Sequence, residues 1–100
     1  MKVQTQDERN LEVAAWRRAN RGVPPKLRAP APDAGECYRV VYDAPDTQGR
    51  WGNRFEMHIF VRSEAGEEPA DAKAAHGLVE ALFAALMGAK PYNVIRVEYE

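Results

Sequence analysis

One cysteine, Cys37, is present in this chain of 100 residues, so no disulfide can form within it. A lone thiol fits a reducing compartment, and the expected location is the cytoplasm. No apolar run approaches the roughly 18 residues that cross a bilayer. The opening MKVQTQDERN lacks the apolar stretch of a secretory signal. No membrane partner is expected.

Reaction motifs are missing as well. The glycines of GRWG, 49–52, match neither a phosphate loop nor a dinucleotide fingerprint, and no helical pattern follows them. Cys37, His58 and His76 stand at none of the spacings that mark metal ligands. A Cys–His nucleophile would need Cys37 and His58 within about 3 Å across neighbouring strands. Each carboxylate already has a reading as a helix cap or a surface charge. The chain is therefore expected to be non-enzymatic, with no cofactor and no metal.

What is present describes a globular protein. Hydrophobic residues make up 45% and charged residues 29%, which argues against a wholly disordered chain. The length suits a single domain over 1–100 with a modest core. The net charge of −1 selects no partner, but the charges are unevenly spread. Residues 17–28, RRANRGVPPKLR, carry Arg17, Arg18, Arg21, Lys26 and Arg28 and no acid, whereas 64–71, EAGEEPAD, carries acids and no base.

Periodicity supplies the elements. Thr5 and Glu8 have capping-box spacing and open a helix over 5–22. Leu11, Ala15 and Ala19 form its apolar stripe, widened by Val13 and Trp16, and it stops near Gly22, before Pro24 and Pro25. A proline-rich connector spans 23–35. From 36 to 100 the pattern reads as a β-β-α-β unit. Tyr38, Val40 and Tyr42 share one face of the first strand. In the second, Phe55, Met57, Ile59 and Val61 alternate with Arg54, Glu56, His58, Phe60 and Arg62. Pro69 suits a helix start and Gly88 a helix end, with Ala75, Val79, Leu82, Phe83 and Leu86 as the core stripe. Ile95, Val97 and Tyr99 mark the last strand.

The expected fold is α+β in the order α-β-β-α-β. It has a three-stranded antiparallel sheet, order 2-1-3, with both helices packed on one face. The first helix would cover the very apolar second one. The opposite face would be wet, showing Arg39, Val41, Glu56, His58, Phe60, Arg96 and Glu98.

Candidate partner-binding residues follow from this layout. Arg50 and Trp51 put two residue types enriched at interface hot spots on one loop, next to Arg54. Arg17, Arg18, Arg21, Lys26 and Arg28 form a possible anion-facing patch, and His58 and Phe60 could stack on bases. The sequence pI near 6.1 lies far below that of typical nucleic-acid-binding domains, so direct nucleic-acid binding ranks behind a protein or nucleoprotein partner. The element order over 36–100 resembles that of phage tail-terminator subunits, which assemble as rings, and this resemblance carries no residue roles. Small size without a reaction motif is also a trait of phage-encoded inhibitors of host defence, anti-CRISPR proteins among them. The expected function is binding of a partner complex, as such an inhibitor or alternatively as a ring subunit.

Overall fold

The computed structural model describes residues 1–29, 31–32, 35–64, 67–68 and 71–100. Its elements are β1 (Lys2–Thr5), α1 (Gln6–Ala19), a 3-10 turn (Pro25–Leu27), β2 (Glu36–Ala44), β3 (Asn53–Arg62), α2 (Ala72–Met87) and β4 (Asn93–Tyr99). Pro69 lies outside the described residues. α2 is instead capped by Asp71, whose side chain accepts from the Ala74 N–H at 2.7 Å. The helix ends at Gly88, where a φ of 59° suits glycine.

The sheet is four-stranded and antiparallel in the order β1-β3-β2-β4. This corrects the expected three-stranded 2-1-3 arrangement. The added strand is KVQT, which pairs with the outer edge of β3 from Lys2↔Arg62 to Thr5↔Ile59. β2 and β3 pair from Glu36↔Val61 to Ala44↔Asn53 despite the long loop between them.

The helices do not share a face, which is a second correction. α2 lies on the face that carries the odd-numbered residues of β3, and it buries Ala75, Val79 and Phe83 against Tyr38, Val40, Ile59 and Val61. α1 lies across the opposite face, beside β1 and β3. It runs on directly from β1, and polar contacts hold it there: Glu12 accepts from Gln4 and Arg62, and from Lys2 Nζ at 3.4 Å. Gln4 is itself buried. The Arg9 guanidinium sits 4.0 Å over the Phe60 ring. None of the residues of α1 is fully buried: Leu11 is 73% exposed, Ala15 and Ala19 are exposed as well, and of the expected apolar stripe Val13 and Trp16 are half-buried. Trp16 packs under the connector, its Nε1 donating to the Ala29 carbonyl at 3.1 Å, and it is not part of the core.

Three details, of β4, α2 and β2, also depart from the pattern. A register shift between Val41 and Tyr42 sets Val94, not Ile95, opposite Tyr42. Ile95 is left exposed. Leu86, read as core, is exposed too, on a depression it shares with Thr5, Gln6 and Met57. Val41, expected on the wet face, is fully buried.

Candidate functional site

Three places bring chemistry-bearing residues together: the open edge of β4, a thiol–imidazole–carboxylate cluster at its end, and the β2–β3 loop.

β4 is the last strand of the sheet, so one side of its backbone has no partner among the described residues. The Glu100 N–H donates to the Cys37 carbonyl at 2.9 Å, which fixes the phase of the β2–β4 ladder. Hydrogen-bonded pairs alternate along an antiparallel ladder. Glu98 therefore directs its N–H and C=O inward to Arg39, while Val97 and Tyr99 direct theirs outward. The edge is apolar, with Val94, Ile95 and Tyr99 all exposed. Beside it a groove of about 370 Å³ opens between α2 and β4, lined by Val40, Phe83, Ala84, Tyr92, Val94 and Val97 with Glu80 as its one charge. The groove exists because α2 packs toward β3 and β1, at the other side of the sheet.

On the opposite sheet face β4 carries alternating charges. Arg39 donates from Nε at 3.1 Å and from its terminal nitrogen at 2.6 Å to one Glu98 oxygen, and Arg96 donates to the other. These bonds, that from Arg39 first, hold the Glu98 carboxyl below its ordinary range.

Cys37, His58 and Glu100 meet at the end of β4. The Cys37 thiol lies 2.7 Å from Glu100 Oε2, and His58 Nδ1 lies 2.7 Å from Glu100 Oε1. Burial first, then the Glu100 carboxylate as hydrogen-bond acceptor and as a charge, pushes the thiol up to about 12, and Arg9 offsets only part of this. The resting group is thus a protonated thiol, a poor nucleophile at neutral pH. Donor atoms of the three side chains lie within 4.8 Å of one another, a set able to hold a metal ion. Only His58 of the three was a candidate partner-binding residue. Cys37 and Glu100 show no signal as a pair, since three separate strands bring the cluster together.

The third place is the loop between β2 and β3. The Asp46 carboxylate accepts from the Gln48 N–H at 2.8 Å and the Arg50 N–H at 2.9 Å, and Asp43 accepts from the Gly52 N–H at 3.1 Å. The backbone is ordered by its own polar groups, and Trp51 remains 52% exposed. Arg50 and Arg54 are exposed beside it.

The remaining candidates are dispersed. Arg17 and Arg18 sit in the last turn of α1, where they complement the helix dipole. Arg21, Lys26 and Arg28 are exposed around the turn that follows, and Arg28 Nε donates to the Val23 carbonyl at 2.8 Å. Phe60, half-buried, carries Arg9 on its ring. Among the described residues no helix is long and apolar enough to cross a membrane. Comparison with family models, with curated proteins and with solved structures finds no match to this chain.

Proposed function

We propose that the protein is a non-enzymatic binding protein whose working surface is the β4 edge, and that its partner is a polypeptide added to the sheet as a further strand. The observation that carries this reading is an unpaired, apolar strand edge beside a groove of about 370 Å³. Strand addition supplies main-chain hydrogen bonds for affinity, and alternate side chains entering pockets supply selectivity. Val97 and Tyr99 would offer the bonds, and the groove would take an apolar side chain from the incoming strand. Arg96 and Glu98 fall in the pairs whose side chains approach most closely, so they favour an acid and a base opposite them.

Val97→Pro isolates this surface. It removes an outward N–H without touching the β2–β4 ladder, a place where edge strands tolerate proline. A host protein retained by the wild type and lost by Val97→Pro, in a variant that melts like the wild type, supports strand addition. A protein retained by both variants but lost by Trp51→Ala would move the interface to the β2–β3 loop and overturn it. The narrowest form of the proposal is an anti-CRISPR-like inhibitor that occludes a surface on a host defence complex. Direct nucleic-acid binding is disfavoured by Arg9, which occupies the Phe60 ring that a base would stack on.

A second reading rests on the edge being self-complementary. Two β4 strands paired antiparallel about Val97 set Arg96 against the partner's Glu98 and Glu98 against the partner's Arg96. A slip by two residues sets Arg96 against itself in one direction and Glu98 against itself in the other, whereas pairing about Val97 opposes no like charges. Such pairing closes as a two-fold dimer. A ring subunit would instead join β4 to β1 of the next copy, and β1 has only four residues. Light scattering separates the cases: doubled mass, restored to single by Val97→Pro, means a dimer, and higher closed multiples mean a ring.

A further inference from the structure

The Cys37–His58–Glu100 cluster joins three neighbouring strands, β2, β3 and the end of β4, whose Cα positions are fixed by the ladder. We propose that it is a binding site for a divalent transition ion of the zinc class, with Cys37 Sγ, His58 Nδ1 and one Glu100 oxygen as protein ligands and a fourth position left for water. This inference is independent of strand addition at β4.

The donor set selects the ion. One sulfur, one imidazole nitrogen and one carboxylate oxygen suit zinc, whereas calcium and magnesium take oxygen-only sets. Bonds of about 2.0–2.3 Å in a tetrahedron place ligand atoms about 3.5 Å apart. The three donor atoms lie within 4.8 Å of one another, so side-chain rotations of about an ångström close the site.

Protons and charge also balance. In the resting cluster Glu100 accepts from the thiol at one oxygen, and its other oxygen faces His58 Nδ1. An incoming ion displaces the thiol proton to solvent and takes up the sulfur electron pair. The imidazole proton that Nδ1 shares with Glu100 moves through solvent to Nε2, which lies 3.8 Å from a Glu56 oxygen. Metal-bound histidines are commonly oriented by a carboxylate at the second nitrogen, and Glu56 stands there. One proton leaves per ion bound. Thiolate, carboxylate and dication sum to zero, where the resting cluster carries the single negative charge of Glu100, so binding adds one positive charge and leaves the nearby Arg9 and Arg39 beside a neutral site. Of these, Arg39 is already held by Glu98.

Cobalt(II), added to the full chain under a thiol-free reductant, provides the test. The expected result is one ion per chain, a thiolate-to-cobalt charge-transfer band in the near ultraviolet, intense visible bands of four-coordinate cobalt, and displacement of all three by zinc. Cys37→Ser should abolish the charge-transfer band. His58→Ala and Glu100→Gln should each weaken binding at least about tenfold, with circular dichroism unchanged. Calorimetry in two buffers of different ionisation enthalpy should report one proton released. A pale six-coordinate spectrum without charge transfer, or equal affinity in wild type and Cys37→Ser, would show cobalt on scattered surface carboxylates and overturn the site. If Glu100→Gln alone unfolds the chain, His58→Ala still decides the matter through the same spectrum.

Discussion

Ile59 and Glu56 lie three positions apart on β3 and have opposite surroundings: Ile59 is fully buried, Glu56 exposed. Ile59→Ala should cost about 2–5 kcal/mol in denaturant unfolding, because the methyls it removes leave a cavity under α2. Glu56→Ala should stay within about 0.5 kcal/mol, and equal losses would show that the faces are reversed. This much was legible in the sequence, since a period of two is a direct consequence of the pleat. Cys37 was not, because its properties depend on Glu100, a residue of another strand. Its raised value has a thermodynamic sign. The folded chain keeps the thiol protonated up to about 12, whereas the unfolded thiol ionises near its ordinary 9.0. Stability from this group is therefore complete below about pH 9 and drains away as pH rises toward 12. Urea midpoints measured across that window should fall more steeply in the wild type than in Cys37→Ser.

At the scale of the element, α1 is the piece the sequence describes well as a helix and poorly as a neighbour. Its cap is visible in Thr5 and Glu8, and the Glu8 N–H does donate to the Thr5 hydroxyl at 3.3 Å. Its side of the sheet depends on Glu12, whose partners Gln4 and Arg62 come from β1 and β3. β1 itself was hidden because four residues are too few to establish a period. Without that strand nothing tied the helix to the second face, and an apolar stripe of mostly alanine was a poor guide. The Glu12 carboxyl is held below its ordinary range, by the Gln4 hydrogen bond first and by Arg62 and Lys2 as well, against an opposing push from burial. Its contribution is present above the ordinary carboxyl range and is lost as pH falls through the lowered value. Acidification should thus lower the protection factors of the α1 amides before those of the β2–β3 pair, and Glu12→Ala should produce the same order at neutral pH. Simultaneous exchange of both regions would mean that α1 is not a separate unit.

At the scale of the whole molecule, the Cα radius of gyration is 16.4 Å, against about 13 Å for a compact domain of this length. Trp51 stands exposed on the loop between β2 and β3. Trp51→Ala should accordingly leave the melting midpoint almost unchanged, and a fall of several degrees would place the indole in the core. The edge position of β4 was legible, since the expected order 2-1-3 also ends on that strand. The groove beside it was not, because it depends on where α2 settles across the sheet.

The pairing of β1 with β3 also orders events in time. Residues 2–5 leave the ribosome well before the strand they pair with, which ends at Arg62. Until β3 has been made, Lys2–Thr5 has no ladder to join and Glu12 has no Arg62 to hold. Closing so long a stretch of chain is entropically costly, whereas β2 and β3 need to close only the loop between them. β1, synthesised before β2 and β3, is therefore expected to be placed after those two have paired, and α1 waits with it.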